Sequence, residues 1–243
     1  MAIEINWHST QGTRTRANQD YCGVGVRPDA VLCVVLDGST TGSQSGKLVR
    51  LIAGDLADWF TLAKASISAD DVVSQLREIH NIRSRELPMA SASYLVTLIR
   101  RDNPSIILHA GDCLIGNHDD TAPVEWLVTP HTLANAIDDV SINEIAPSPL
   151  RNKLTRSFRA KEFMIPETTT IPDTGEAVFV VATDGFWAEL TSDQQHRFLD
   201  GEVAQTKDNI DDCSVLRIRI HGSTAETHVS ATLDQNLHVV KSS

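Results

Sequence analysis

The stretch VFVVATDGFWAEL at residues 178–190 decides the reading of this chain. Five apolar or small residues, rich in β-branched side chains, run straight into Thr183-Asp184-Gly185. A run of that length and composition reads as a buried strand over 177–183. An aspartate at its tip then stands on a rigid mount, where a side chain can face a cleft. The same pattern appears upstream. VLCVVL at 31–36 runs into Asp37-Gly38 and IILHAG at 106–111 into Asp112, while Asp20 precedes YCGVGV and Asp211-Asp212 precede CSVLRIRI. One such aspartate is ordinary turn chemistry. Five at strand ends in one chain suggest that they share a site. Several carboxylates in one cleft repel one another unless cations neutralise them, and hard oxygen donors suit Mg²⁺ or Mn²⁺.

Around these strands, others are predicted at 21–26, 30–36, 93–100, 105–110, 114–117 and 214–220, with a break at Asp102-Asn103-Pro104. A helix is expected over 45–60, with Leu48, Ile52, Leu56 and Trp59 as its buried stripe. Another is expected over 69–85, opened by the capping pair Ser68 and Asp71, with Val72, Leu76 and Ile79 on one face. Thr191 with Gln194 marks a further helix start, and 152–158 reads as helical. Residues 131–150 have little periodicity and suit a flap beside a cleft, while the last 20 or so residues carry no decisive pattern. Clustered hairpin-like strands with two helices between strand groups give an α+β pattern, not the regular alternation of a parallel sheet.

The chain has 243 residues, enough for one domain, 1–243, with a substantial core. Its formal net charge of −11 argues against nucleic acid or an anionic membrane as partner. MAIEINWHST lacks the pattern of a signal peptide, and the apolar runs are strand-sized, so a soluble cytoplasmic protein is expected. Cys22, Cys33, Cys113 and Cys213 form no C-x-x-C pair and read as buried thiols. His109, inside an apolar strand, and Trp187 read as core residues, and His131 as a structural hydrogen-bonding group.

Taken together, the motifs carry a resemblance. TRANQDYCGV (15–24), VVLDGSTTGSQSG (34–46), ASASYLVTLI (90–99), IILHAGDCLIG (106–116), VTPHT (128–132), RNKLTRSF (151–158), VFVVATDGFWAEL and DDCSVLRI (211–218) follow one another in the order of the motifs of the metal-dependent protein phosphatases. The chain therefore resembles bacterial members of that family, the PPM or type 2C serine/threonine phosphatases. The resemblance implies a four-layer α-β-β-α sandwich of two mostly antiparallel sheets flanked by helices. It also implies two Mn²⁺ or Mg²⁺ ions, with a possible third, that activate a water against a phosphoserine or phosphothreonine ester.

By the same resemblance Asp37 bridges the two ions, the Gly38 carbonyl completes one site, and Asp184 with Asp211 completes the other. Asp20 and Gln19 hold water at the ions, and Asp112 with Asp184 forms a third, weaker site. The family's Glu is Gln19 here, and its phosphate-binding Arg falls on Thr15, so that Arg14 and Arg16 both stay candidates. Ser39 stands where some relatives carry a His. The implied partners are a phosphoprotein substrate and a cognate serine/threonine kinase, with the enzyme a monomer. Two alternatives remain: a catalytically weak pseudophosphatase that binds a phosphoprotein or kinase, and another two-metal hydrolase such as a nuclease.

Overall fold

A computed structural model describes residues 2–42, 44–101, 103–119, 122–138, 140–172, 175–202, 210–221, 226–231 and 236–242. Asp102, in the predicted break between two strands, lies outside them, as does part of the undecided C-terminal stretch.

The architecture is two packed sheets with helices on their outer faces. The first sheet contains β1 (Ala2–Thr10), β6 (Leu114–Asn117), β7 (Glu125–Trp126), β10 (Ala177–Ala182), β11 (Cys213–His221) and β12 (His228–Ala231), in the order β12-β1-β11-β10-β6-β7. The second contains β2 (Asp20–Val26), β3 (Ala30–Gly38), β4 (Ser91–Arg100), β5 (Asn103–Ala110), β9 (Glu167–Ile171) and β13 (Leu237–Lys241), in the order β13-β2-β3-β4-β5-β9. A short β8 (Phe158–Arg159) pairs with the start of β4. Only the outer pairs β1–β12 and β2–β13 are parallel; the remaining pairings are antiparallel.

The continuous apolar run of β3 follows from burial on both faces. Val31, Cys33 and Val35 point into the core between the sheets, with Ile5, Trp7 and Leu216. Leu32, Val34 and Leu36 point outward under α1 (Ser45–Leu62) and α2 (Ala69–Glu86), against Leu48, Ile52, Leu56 and Leu76. On the other side, α4 (Asp184–Trp187) and α5 (Ser192–Leu199) send Phe186, Phe198 and Leu199 into the inter-sheet cluster. The predicted α+β layering is the one observed.

Within α1 the buried stripe ends on Phe60, and Trp59 is only half-buried. Burying a side chain of that size stabilises by roughly 1.5–3 kcal/mol. The Ser68/Asp71 and Thr191/Gln194 capping boxes form as expected. Residues 152–158 are not helical. Leu154 makes an isolated bridge to Thr132, and Phe158 pairs with Ala92, so long-range pairing overrides the local helical pattern. Strand β1 was not expected. Its alternation of buried Ile3, Ile5 and Trp7 with more exposed neighbours is a half-buried strand by pattern. The segment 131–150, where a flap was expected, holds a 3-10 turn at Leu133–Asn135 and the short α3 (Ile142–Ile145).

Candidate metal and phosphate site

Strand register brings the first carboxylates together. Asp20 on β2 pairs with Asp37 on β3, and Asp37 pairs with Ser93 on β4. The Ser93 hydroxyl donates to Asp112 Oδ1 at 2.5 Å. Gly111, at φ 115°, permits this approach, because a Cβ there would collide with the Ser93 side chain. From the first sheet, β10 ends at Ala182, and Thr183 caps the turn of α4 that carries Asp184. A Cβ at Gly185 would strike the Asp212 carbonyl, so the Asp-Gly pair lets this turn lie against the start of β11. Thr183 Oγ1 donates to Asp20 Oδ2 at 2.9 Å and accepts from Ser214 N at 3.1 Å, which ties the two sheets together at the site.

The result is a cleft of about 760 Å³ lined by Asp37, Asp112, Asp184, Asp211 and Arg14, with Asp20 buried behind its wall. Adjacent aspartates divide the work at the start of β11. The Asp211 side chain faces the cleft and pairs with Arg14 at 3.0 Å. Asp212 turns inward and accepts the backbone N–H groups of Gln19 (2.7 Å) and Gly12 (2.8 Å), with the Thr15 hydroxyl at 3.2 Å. It therefore clamps the loop that carries Arg14.

Burial, and then mutual repulsion, raise the proton affinity of this cluster. Asp37 is pushed well up by desolvation and by Asp20, Asp184, Asp112 and Asp211. Asp20 is pushed well up by burial and by Asp212. Asp112 is raised by burial, against the Ser93 hydrogen bond that lowers it. Asp184 rises to about 7 through burial and Asp112, with Arg151 pulling the other way. The cluster holds more negative charge than its surroundings compensate.

That shortfall, an all-oxygen donor set and a buried Asp20 Oδ1 without a hydrogen-bond partner fit a divalent cation. As the side chains stand, no three His, Cys, Asp or Glu groups among the described residues converge closely enough to hold one ion. Arg14 and Arg151 instead take oxygens of Asp211 and Asp184.

The remaining candidates fall in different places. Arg16 is exposed and does not line the cleft, whereas Arg14 does. Gly38 is buried beside it. The Gln19 amide is placed to donate to the carbonyl oxygens of Gly38 (3.2 Å) and Ser39 (3.1 Å), a donor role that the family's Glu could not play. Arg156 is half-buried and does not line the cleft; its charge acts on Tyr94, His109 and His131. His109 is buried with Nε2 3.2 Å from the Thr129 carbonyl, and His131 accepts from Gly111 N at 3.2 Å, so both are structural. Trp187 is buried and donates to the Asp112 carbonyl at 2.8 Å. All four thiols are buried and pushed up by desolvation, Cys33 to about 12.

Two residues at the site had no role in the sequence reading. Arg151 donates to Asp184 Oδ2 at 2.5 Å, and Glu189 accepts the N–H groups of Ile210 (3.1 Å) and Asp211 (3.2 Å). Both lie inside quoted motifs, yet contacts between distant segments leave no periodic trace.

Comparison with known proteins agrees with this fold. The sequence profile described as Protein phosphatase 2C matches residues 8–216. No curated protein matches the sequence. The serine/threonine phosphatase of S. agalactiae superimposes with a TM-score of 0.73 at 17% identity, covering 90% of this chain and 100% of that one. Stp1 of Staphylococcus aureus gives 0.76 at 14% identity, covering 91% and 96%. The catalytic domain of the phosphatase PstP in complex with two manganese ions gives 0.68 at 14% identity, covering 90% and 98%.

Proposed function

The chain belongs to the protein phosphatase 2C family, and from that premise we propose that it hydrolyses phosphoserine and phosphothreonine esters of proteins with the help of Mn²⁺ or Mg²⁺. The observation that carries this reading is the meeting of Asp37, Asp112, Asp184 and Asp211, from the ends of both sheets, at one cleft where burial and mutual repulsion disfavour the charge on Asp37, with Asp20 paired to Asp37 and buried beside them. Asp37 with the Gly38 carbonyl, and Asp184 with Asp211, are the groups that would hold two ions. Bound there, the ions would supply Lewis-acid activation of a water and a template for in-line attack.

The other steps belong to the chain's own residues. Arg14 stands at the rim with its guanidinium on Asp211 at 3.0 Å and 44% of its side chain exposed. From there it can reach a phosphoryl group and grip two of its oxygens, as a planar fork allows and a lysine does not. Asp212 holds that arm through the backbone of Gly12 and Gln19. Gln19 fixes the Gly38 and Ser39 carbonyls at the turn. No thiol can serve as nucleophile while burial keeps all four protonated. Ser39, Thr40 and Thr41 also line the cleft, where their hydroxyls can meet a substrate backbone. The leaving alcohol would take its proton from water.

In the cell the substrate would be a phosphoprotein and the opposing enzyme a serine/threonine kinase. No helix among the described residues is long and apolar enough to cross a membrane. The test offers a phosphothreonine peptide, single-stranded DNA and RNA side by side with Mn²⁺. Phosphate released from the peptide alone supports the proposal. Cleavage of nucleic acid, or peptide turnover undiminished in excess EDTA, contradicts it.

A further inference from the structure

The cleft has a second part, away from the aspartates, whose wall includes Ser91, Lys153, Ser157 and Arg159. Strand register fixes where Arg159 points. Ser93 pairs with Asp37 across one edge of β4, and Ser91, two residues along, pairs with Arg159 of β8 across the other. Paired residues, and residues two apart on a strand, share a face of the sheet. Asp37, Ser93, Ser91 and Arg159 therefore lie on one face. Phe158 takes the opposite face, where it joins the cluster under the helices. Two residues of strand set Arg159 about 7 Å along β4 from the level of Asp37.

The Arg159 guanidinium is held in place but not neutralised. Its Nη2 is 3.4 Å from the Thr155 carbonyl and 3.2 Å from Met164 Sδ, and its buried Nε has no hydrogen-bond partner. Among the described residues, no carboxylate lies within ion-pair distance of Arg159 or of the exposed Lys153. Arg14, which also lines the cleft, is by contrast paired with Asp211. Two cations without counter-charges in the main cleft stand out in a chain of net charge −11. An arginine keeps its charge in a protein, and a partly buried charge without a partner costs free energy that an anionic ligand recovers.

We propose that Lys153 and Arg159 form an anion-recognising subsite, which selects phosphoproteins carrying a second negative group, a carboxylate or another phosphate, close in sequence to the phosphoester. An extended chain advances about 3.3–3.6 Å per residue, so a group roughly one to three residues away can span the distance from Asp37 to Arg159. This selectivity rests on the phosphoester reading of the cleft and names the substrate class within it.

The test compares phosphothreonine peptides that differ only at a flanking position, which carries alanine, glutamate or a non-hydrolysable phosphonate. With Mn²⁺ saturating and salt low, wild type should turn over a charged-flank peptide with kcat/KM about 5-fold or more above the alanine peptide, as a partly buried charge pair predicts. A gain with glutamate identifies acidic sequences as a source of the anion; a gain with the phosphonate alone identifies clustered phosphorylation sites. Arg159→Gln and Lys153→Ala should each bring the ratio toward one, mainly through KM. Lys161→Ala, which removes an exposed cation outside the cleft wall, should keep it. Thermal melts check that each variant is folded, and the exposed Lys153 supplies the test if Arg159→Gln does not fold. Equal kcat/KM for the three peptides in wild type overturns the subsite alone. So does a ratio left undiminished by either folded variant, or one that falls as far in Lys161→Ala. No turnover of any peptide overturns the subsite together with the phosphatase reading beneath it.

Discussion

Neighbouring Asp211 and Asp212 should behave oppositely on truncation. Asp212 is buried at 3% exposure and accepts Gln19 N at 2.7 Å and Gly12 N at 2.8 Å. Hydrogen bonds to a charged group contribute about 1.5–3 kcal/mol each, and Asp212→Ala would also leave two buried N–H groups without partners. Burial and Asp211 raise the Asp212 carboxyl, which takes back part of that gain. A net loss of roughly 2–4 kcal/mol is expected, and at 2–4 °C per kcal/mol for a chain of this size the midpoint falls by about 5–15 °C. Asp211 is held by Arg14, whose side chain is 44% exposed. Pairs of that kind contribute about 0–1 kcal/mol, so Asp211→Ala should shift the midpoint by about 4 °C or less. It should instead weaken Mn²⁺ binding. Circular dichroism melts in EDTA, followed by calorimetric Mn²⁺ titration, read both halves. If Asp212→Ala melts with wild type, or Asp211→Ala loses as much stability as Asp212→Ala, the division of roles is wrong.

Other outcomes follow from the same geometry. Asp184→Asn should abolish turnover and leave the metal-free protein folded, since it removes charge from a crowded cluster; melts and phosphate release check it. Arg14→Ala should raise KM for a phosphopeptide about 10-fold or more, as loss of a charge-assisted contact predicts, while Arg16→Ala behaves like a surface change. Gln19→Glu should lower the melting midpoint without metal, because a carboxylate facing the Gly38 and Ser39 carbonyls cannot donate, and Mn²⁺ should restore part of the loss. His109 is lowered to about 4 by burial and His131, so the unfolded chain binds the proton first as pH falls. Its contribution is present above about 6.5 and lost between there and about 4, and His109→Gln should flatten that acid limb in urea-melt stabilities.

The sequence carries the sheets openly where burial is two-sided. Val31 to Leu36 must satisfy both the inter-sheet core and the helix layer, so the run is uninterrupted and ends where the chain leaves the core at Asp37. The same logic makes the aspartates visible, because each stands within two positions of the end or the start of such a run. Strand β1 is also written plainly, in the alternation of Ile3, Ile5 and Trp7 with more exposed neighbours. What the sequence conceals is pairing at a distance. The segment 152–158 has a helix-like local pattern, and its fate is set by Thr132 and Ala92, which lie 22 and 66 residues away from their partners Leu154 and Phe158. Arg151 and Glu189 are concealed for the same reason. Which of Arg14 and Arg16 reaches the cleft depends on a clamp by Asp212, nearly 200 residues downstream, that no local pattern announces.

The reading proposed above requires that Asp37 hold the divalent ions on which phosphate-ester hydrolysis depends. Phosphate release from a phosphothreonine peptide, titrated with Mn²⁺ for wild type and for Asp37→Asn, tests it most directly. Wild type should rise from no activity in EDTA to a plateau, and the folded variant should stay at baseline across the titration. A variant that reaches the wild-type plateau at saturating Mn²⁺ would contradict the account.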